Sequence, residues 1–119
     1  MSLQALIQYL SETPSGAWSS HPKFAGVSMK TVVDNSLTQG IISQHLVRVE
    51  PGCALETHVH PSQCELHLVL QGSGKARLED ASSEYRPGSL NTIPSGSAHS
   101  VHAGSEGLVL LASFSPGLG

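Results

Sequence analysis

Four side chains in the middle of the sequence have the types and spacing of a metal site. His58 and His60 are two residues apart, so on a strand both imidazoles leave the same face. Glu65 follows across a turn at Pro61, and His99 comes shortly after a second turn. Three imidazoles and one carboxylate suit a divalent first-row transition metal without any thiolate. A His-x-His pair alone is also typical of a strand surface, so the pair needs support from its surroundings.

Glycine and proline residues surround these four side chains in two blocks of fixed spacing. The first block is Gly52, five residues, His58-Val59-His60, four residues, Glu65, six residues and Gly72. The second block is Gly88, five residues, Pro94-Ser95-Gly96, two residues and His99. In order and spacing these positions resemble both motifs of the cupin family. The second motif usually closes with Asn four residues after its histidine, where this chain has Ala103.

The resemblance implies a double-sheet jelly-roll barrel of six to eight strands that is open at one end. It also implies that one divalent transition metal is bound per chain by the residues that match the family's ligands: His58, His60, Glu65 and His99. Fe, Mn, Ni, Zn and Cu all remain candidates for the metal. The Asn replaced by Ala103 is not a ligand in the family, so the ligand set stays complete.

Strand parity extends the candidate site beyond the four ligands. Counting by twos, His67 and Val69 lie on the face of Glu65, and Glu56 lies on the face of His58. His67 is therefore the candidate catalytic acid or base, because a histidine titrates near neutral pH. The alternative role for His67 is to orient the ligand carboxylate. For Glu56, a strand-end side chain that reaches solvent is the favoured interpretation.

The chain that must position these residues has the pattern of an all-β domain. Period-two segments separated by turn residues predict eight short strands. These are Val27–Val33, Ile41–Val49, Ala54–His60, Glu65–Leu70, Lys75–Leu78, Leu90–Ile93, Ser100–Ala103 and Leu108–Phe114. Turn residues between them include Gly72-Ser73-Gly74 and Gly104. Many short strands at close spacing indicate a sandwich or barrel.

The N-terminal segment has a different period. Leu3, Leu6, Ile7 and Leu10 recur at the spacing of one helical face, which predicts a short amphipathic helix over 2–11 capped by Ser2. The chain therefore divides into an N-terminal helix with a lead-in loop at 1–26 and a β-barrel domain at 27–119.

Composition excludes several classes of partner. Nine acidic residues against six basic ones give a net charge of −3, and the basic residues form no cluster, so neither nucleic acid nor an anionic membrane is expected. The N-terminus lacks the basic start and long apolar stretch of a secretory signal, and Cys53 and Cys64 do not make a disulfide framework. A cytoplasmic location fits best.

Function divides into two hypotheses at this stage. The first is a small-molecule enzyme that uses a metal in the barrel, as a sugar-acid isomerase or lyase, or as a dioxygenase. A Phe114-Ser115-Pro116 segment near the end resembles small cupins that act on uronate-type sugars. The second hypothesis is a non-catalytic, metal-dependent module that binds or senses a small molecule. Both imply a small-molecule ligand in the barrel, and the family resemblance favours a homodimer.

Overall fold

A computed structural model of the chain describes residues 2, 4, 5, 8 and 17–118. Residues 17–118 form eight strands and one short 3-10 helix, and no described helix is long and apolar enough to cross a membrane. The elements are β1 (Ser19–Ser20), β2 (Val27–Val33), η1 (Asn35–Thr38), β3 (Ser43–Val49), β4 (Ala54–His58), β5 (Cys64–Leu78), β6 (Ala81–Tyr85), β7 (Leu90–Ile93) and β8 (His99–Ser115). The predicted all-β jelly-roll architecture is confirmed.

Two long strands organise the sheet. All the strand pairs among the described residues are antiparallel, and the central path runs β1-β2-β3-β8-β5-β6. The first half of β8 pairs with β4 and its second half pairs with β3, while β5 accompanies β8 along nearly its whole length. β7 and β6 pair with the first and second halves of β5 in the same manner. Each long strand therefore contributes to two layers, as a jelly roll requires.

The core lies between these two layers. One layer contributes Val47 and Val49 from β3 and Leu110 from β8, and the other contributes Leu55 from β4 and Val101 from β8. All five side chains are buried, and apolar burial of this kind contributes roughly 1.5–3 kcal/mol for each large side chain. The barrel wall that carries the candidate ligands is thus a packed scaffold.

The predicted turns at Gly72-Ser73-Gly74 and Gly104 are wrong, because β5 and β8 run through them. These glycines allow close approach rather than chain reversal. A Cβ on Gly72 would collide with the carbonyl oxygen of Gly107, and a Cβ on Gly74 would collide with that of His102. The pairing register also shifts between Val69 and Gln71 and between Gly72 and Gly74, as at β-bulges, which bend a strand from one layer toward the next.

Other differences from the predicted elements are local. β2 and β7 have the predicted bounds, whereas β3 begins at Ser43 rather than Ile41 and β4 ends at His58 rather than His60. β1 and β6 were missed, because Ser19–Ser20 and Ala81–Tyr85 are short and mostly exposed and carry no apolar alternation.

Most of the predicted helix over 2–11 lies outside the described residues. Gln4, Ala5 and Gln8 are helical, and Ser2 Oγ accepts a hydrogen bond of 3.0 Å from the Ala5 N–H. The helix as a whole stays a prediction.

Comparing two glycines measures how much the close approach of two strands at Gly72 contributes to the cost of adding a side chain there. Gly72 and Gly88 both have positive φ, at 86° and 93°, but only at Gly72 would a Cβ meet other atoms. We expect Gly88→Ala to cost about 1 kcal/mol, from backbone strain alone. Gly72→Ala should cost about 3 kcal/mol, because overpacking adds to the strain. Urea unfolding of the two variants checks this, and equal losses of stability would contradict the packing argument.

Candidate metal centre

The four predicted ligands come together where β4, β5 and β8 meet. His58 is the last residue of β4 and pairs in register with His99, the first residue of β8. Glu65 is the second residue of β5. His60 lies in the loop between β4 and β5, and its carbonyl accepts a hydrogen bond of 3.0 Å from the N–H of Gly96. The turn before β8 therefore fixes the backbone of His60 as well as the start of the strand that carries His99.

The side chains of these residues converge on one small region. One ligand atom from each of them lies within 4.8 Å of the others. Glu65 Oε1 is 3.1 Å from His99 Nε2 and 3.7 Å from His60 Nε2. The ring centroids of His58 and His99 are 4.2 Å apart. Glu65 and His99 are buried, while His58 and His60 are partly exposed, so the cluster is open on one side.

Hydrogen bonds to backbone carbonyls determine which nitrogen of two histidines faces the cluster. His58 Nδ1 is 2.7 Å from the Glu56 carbonyl oxygen, and His99 Nδ1 is 3.0 Å from the Ser97 carbonyl oxygen. A carbonyl oxygen only accepts, so each Nδ1 carries the proton and donates it. Nε2 is then the free nitrogen of both rings. Metal-binding histidines are usually oriented in this way.

One close pair in the cluster consists of two hydrogen-bond acceptors. Glu65 Oε1 and His99 Nε2 are buried and have no hydrogen-bond partner among the described residues. Neutral His99 has a lone pair on Nε2, which faces the negative carboxylate. Because leaving buried polar atoms unpaired is costly, a proton or a metal cation must lie between them. The residues present therefore fit a divalent cation.

Electrostatics within the cluster follow from burial and from the carboxylate. Burial alone would raise the pKa of Glu65, but hydrogen bonds from His67 and from protonated His99 oppose it and the pKa is lowered to about 2. Burial would lower the pKa of His99, but Glu65 and the Ser97 carbonyl outweigh it and raise that pKa. Burial lowers the pKa of His58 and of His60. At neutral pH the cluster has an ionised carboxylate and at least two neutral imidazoles.

Behind Glu65 runs a chain of hydrogen bonds that begins at His67. His67 Nε2 is 2.7 Å from Glu65 Oε2, and His67 Nδ1 is 2.8 Å from the Tyr85 hydroxyl. Asn91 Nδ2 donates to the same hydroxyl oxygen at 3.1 Å. Tyr85 can then donate to Nδ1, which leaves the His67 proton on Nε2 to bind the carboxylate. Both nitrogens of this fully buried ring are therefore engaged, and Oε1 is the carboxylate oxygen left for the cluster.

A cavity of about 330 Å³ opens onto the cluster. Its described lining combines cluster residues with apolar side chains and two further polar ones. The lining residues are His21, Lys23, Phe24, Met29, Val47, Leu55, His58, Val59, His60, Glu65, Phe114 and Leu118. A volume of this size is at the lower end of the range for small-molecule sites. His67 is absent from this described lining.

Other residues singled out from the sequence lie away from the cluster. Glu56 is exposed, because the register of β4 against β8 shifts between Leu55 and His58 and strand parity does not carry across that irregularity. Cys53 and Cys64 are free thiols. The sequence interpretation missed His21 and Phe24, whose loop carries no periodic signal, and Tyr85, which lies on the strand that was not predicted.

Comparisons with known proteins agree with this architecture. The chain shares its fold with KdgF from Halomonas sp. (TM-score 0.75, 21% identity, 87% of this chain and 91% of that one). It also resembles a predicted oxalate decarboxylase from Thermotoga maritima (TM-score 0.78, 20% identity, 88% and 95%). A cupin-2 domain from Rhodospirillum rubrum matches with a TM-score of 0.76 and 25% identity over 86% and 70% of the two chains.

Sequence comparison gives the family directly. No curated protein matches the chain as a whole. The cupin domain family matches residues 45–114, which is more than half of the chain and includes all four residues of the cluster. With both motifs in place on a jelly-roll barrel, this chain belongs to the cupin family.

Proposed function

We propose that the chain holds one divalent transition metal through His58, His60, Glu65 and His99 and uses it to act on a small molecule in the adjoining cavity. The observation that supports this most directly is the buried pair of atoms Glu65 Oε1 and His99 Nε2, which need a proton or a metal cation between them. The cluster also opens into a cavity large enough for a small molecule. This supports the second part of the proposal, that a ligand binds next to the metal.

The four side chains supply one negative charge and three neutral donors to a divalent ion. Such a set leaves one or two positions of an octahedral ion for a ligand of the protein. When bound, the metal would polarise a ligand oxygen as a Lewis acid, and iron, nickel or copper would add redox chemistry. The apolar wall formed by residues such as Leu55 and Phe114 lowers the local dielectric beside the cluster, which strengthens the electrostatic interactions within it.

Two reaction types remain within this proposal. A sugar-acid isomerase or lyase needs only Lewis-acid polarisation, whereas a dioxygenase needs a redox-active metal and oxygen. The second function class is a non-catalytic binding or sensing module. One observation favours it: apart from the proposed ligands, His21 and Lys23 are the only titratable side chains in the described lining of the cavity. Measuring turnover of a bound compound with and without oxygen separates these three functions. A dioxygenase turns over only with oxygen, an isomerase or lyase also turns over without it, and a binding module shows no turnover.

His67 has a proposed role that its hydrogen bonds support. Both of its nitrogens are engaged, by Glu65 and by Tyr85, so the ring is placed to orient the carboxylate. The acid–base role predicted from the sequence is the competing proposal.

The predicted homodimer and cytoplasmic location also stay predictions. For the dimer, the exposed side chains of Leu66 and Leu90 on neighbouring strands offer an apolar surface.

Metal content tests the proposal first. We expect purified protein to hold close to one divalent metal ion per chain, and changing His58 and His60 together to Ala should abolish binding, because two of four donors are lost. Elemental analysis and titration with Ni²⁺ or Zn²⁺ measure both. His102→Ala is the matched control, since His102 is exposed on β8 outside the cluster and its loss should leave the metal in place. Full metal content in the double variant would contradict the proposal.

The pH dependence of binding follows from the same cluster. Protons and the metal compete for the imidazole nitrogens, so affinity should fall as pH falls. His99, with its raised pKa, takes up a proton first, and His58 and His60, whose pKa values are lowered, follow at lower pH. Glu65 stays ionised, because its pKa is about 2. Chelator competition with Zn²⁺ between pH 8 and about pH 5 should show a loss that steepens below about pH 6.5. A pH-independent affinity would be incompatible with imidazole ligands.

The two roles of His67 predict different results for His67→Gln. If His67 orients Glu65, metal affinity should fall about 10- to 100-fold. An acid–base role predicts unchanged affinity and a turnover on an identified substrate that is about 10²–10⁴-fold lower. Tyr85→Phe removes the hydroxyl that bonds His67 Nδ1 and accepts from Asn91 Nδ2 but leaves the His67–Glu65 contact in place, so it should weaken metal binding in the same direction but less. Circular dichroism confirms the fold of each variant. Unchanged metal affinity in both would exclude the orienting role.

A further inference from the structure

The cavity beside the metal cluster is polar at two places and apolar between them. Its inner polar region is the cluster of His58, His60 and Glu65. The only other polar side chains in its described lining are His21 and Lys23, which lie close together on the loop that leads into β2. Everything else that lines it in the described part of the chain is aliphatic, aromatic or thioether. The walls between the two polar regions therefore offer almost no side-chain hydrogen bonds to a ligand.

The loop that carries His21 and Lys23 is held firmly against the metal cluster. Phe24 stacks on His21 with ring centroids 4.7 Å apart, and its ring centroid is also 5.6 Å from that of His58. Backbone hydrogen bonds of 2.8 Å fix both ends of the loop, one from the His21 N–H to the Val27 carbonyl and one from the Glu50 N–H to the Gly26 carbonyl. The loop is thus a preformed part of the cavity, and the Phe24 ring contacts both His21 of the loop and His58 of the cluster.

His21 and Lys23 are suited to hold an anion. His21 Nδ1 accepts hydrogen bonds from the backbone N–H groups of Lys23 and Phe24, at 3.0 and 3.3 Å, so the neutral ring has its proton on Nε2 and can donate it. Lys23 is exposed and forms no ion pair with any described residue. A donor and a cation thus lie together on this side of the cavity, where no acidic side chain is among the lining residues except Glu65.

We infer that the cavity takes a small amphipathic carboxylate, with an oxygen-donor head at the metal cluster, an apolar body along Phe24 and Phe114, and the carboxylate held by Lys23 and His21. This inference rests on the proposed metal-dependent function and adds the class of ligand. A polyhydroxylated body fits poorly, because each hydroxyl that loses water against an apolar wall without a new partner costs binding energy. The ligand class therefore differs from the uronate-type sugars that the sequence suggested.

Three synthetic probes of equal length separate the parts of this inference. Hexanehydroxamate has a metal-chelating head and a methyl end, and adipic acid monohydroxamate replaces the methyl with a carboxylate. The monohydroxamate of galactaric acid keeps both ends and adds four hydroxyl groups to the body. Affinity of each for the Zn²⁺-loaded protein is measured by calorimetry at low ionic strength.

Lys23→Met should lower affinity for the adipic probe about two- to fivefold, which is the range of an exposed ion pair, and should leave hexanehydroxamate unchanged. The loss should disappear in 0.5 M NaCl, since exposed pairs are screened by salt. Lys75→Met is the matched control, because Lys75 is an exposed lysine paired with Glu84 at 3.6 Å, away from this cavity. The galactaric probe should bind at least tenfold more weakly than the adipic probe.

Failure of the inference and failure of the proposed function give different results. If hexanehydroxamate binds the Zn²⁺-loaded protein but Lys23→Met changes both probes equally or neither, the carboxylate assignment is overturned and the metal site stands. If the galactaric probe binds as tightly as the adipic probe, the apolar-body assignment is overturned. If the protein takes up no Zn²⁺, the proposed function and this inference are both wrong.

Discussion

The close contact between Glu65 Oε1 and His99 Nε2 is the interaction on which the rest of the site depends. The two acceptors lie 3.1 Å apart in a buried position, which is unfavourable unless a positive charge lies between them. His67, Tyr85 and Asn91 keep the other carboxylate oxygen engaged, and the Ser97 carbonyl keeps the imidazole from turning its donor nitrogen inward. The surrounding fold therefore preserves an arrangement that would relax if the side chains were free to rotate.

Much of the fold was predictable because two local signals agree. Strand periodicity and turn residues predicted β2 and β7 with their observed bounds, and the resemblance to the two cupin motifs predicted that the strands form a jelly roll. The false turns were predicted at glycines, which occur both where a chain reverses and where two strands approach closely. Closely spaced glycines such as Gly72 and Gly74 are typical of turns. Here they instead allow two strands to approach more closely than a Cβ would permit. Only the partner strand distinguishes these cases, and a single sequence does not show it.

The four residues of the cluster were predictable because they occur at fixed distances within motifs. The residues that support them were not. Tyr85 and Asn91 reach His67 through pairing of β6 and β7 with β5, and His21 reaches the cavity through a loop without periodicity. Parity counting placed His67 correctly on the face of Glu65. Glu56 is exposed, as the sequence interpretation favoured, and an irregularity in the pairing of β4 separates it from His58. Strand counting is reliable only within an uninterrupted ladder.

The side chains of the cluster are oriented by two different kinds of partner, and this difference affects which positions can vary independently during evolution. His58 and His99 are held by the main-chain carbonyls of residues 56 and 97, which any amino acid can supply. Glu65, in contrast, is held by side chains at positions 67, 85 and 91, which form one connected chain of donors and acceptors. Positions 56 and 97 are therefore free to vary one at a time among relatives that keep the site. Substitutions at 67, 85 and 91 should instead appear together, because a change in any one reverses or breaks the direction of the hydrogen bonds along the whole chain.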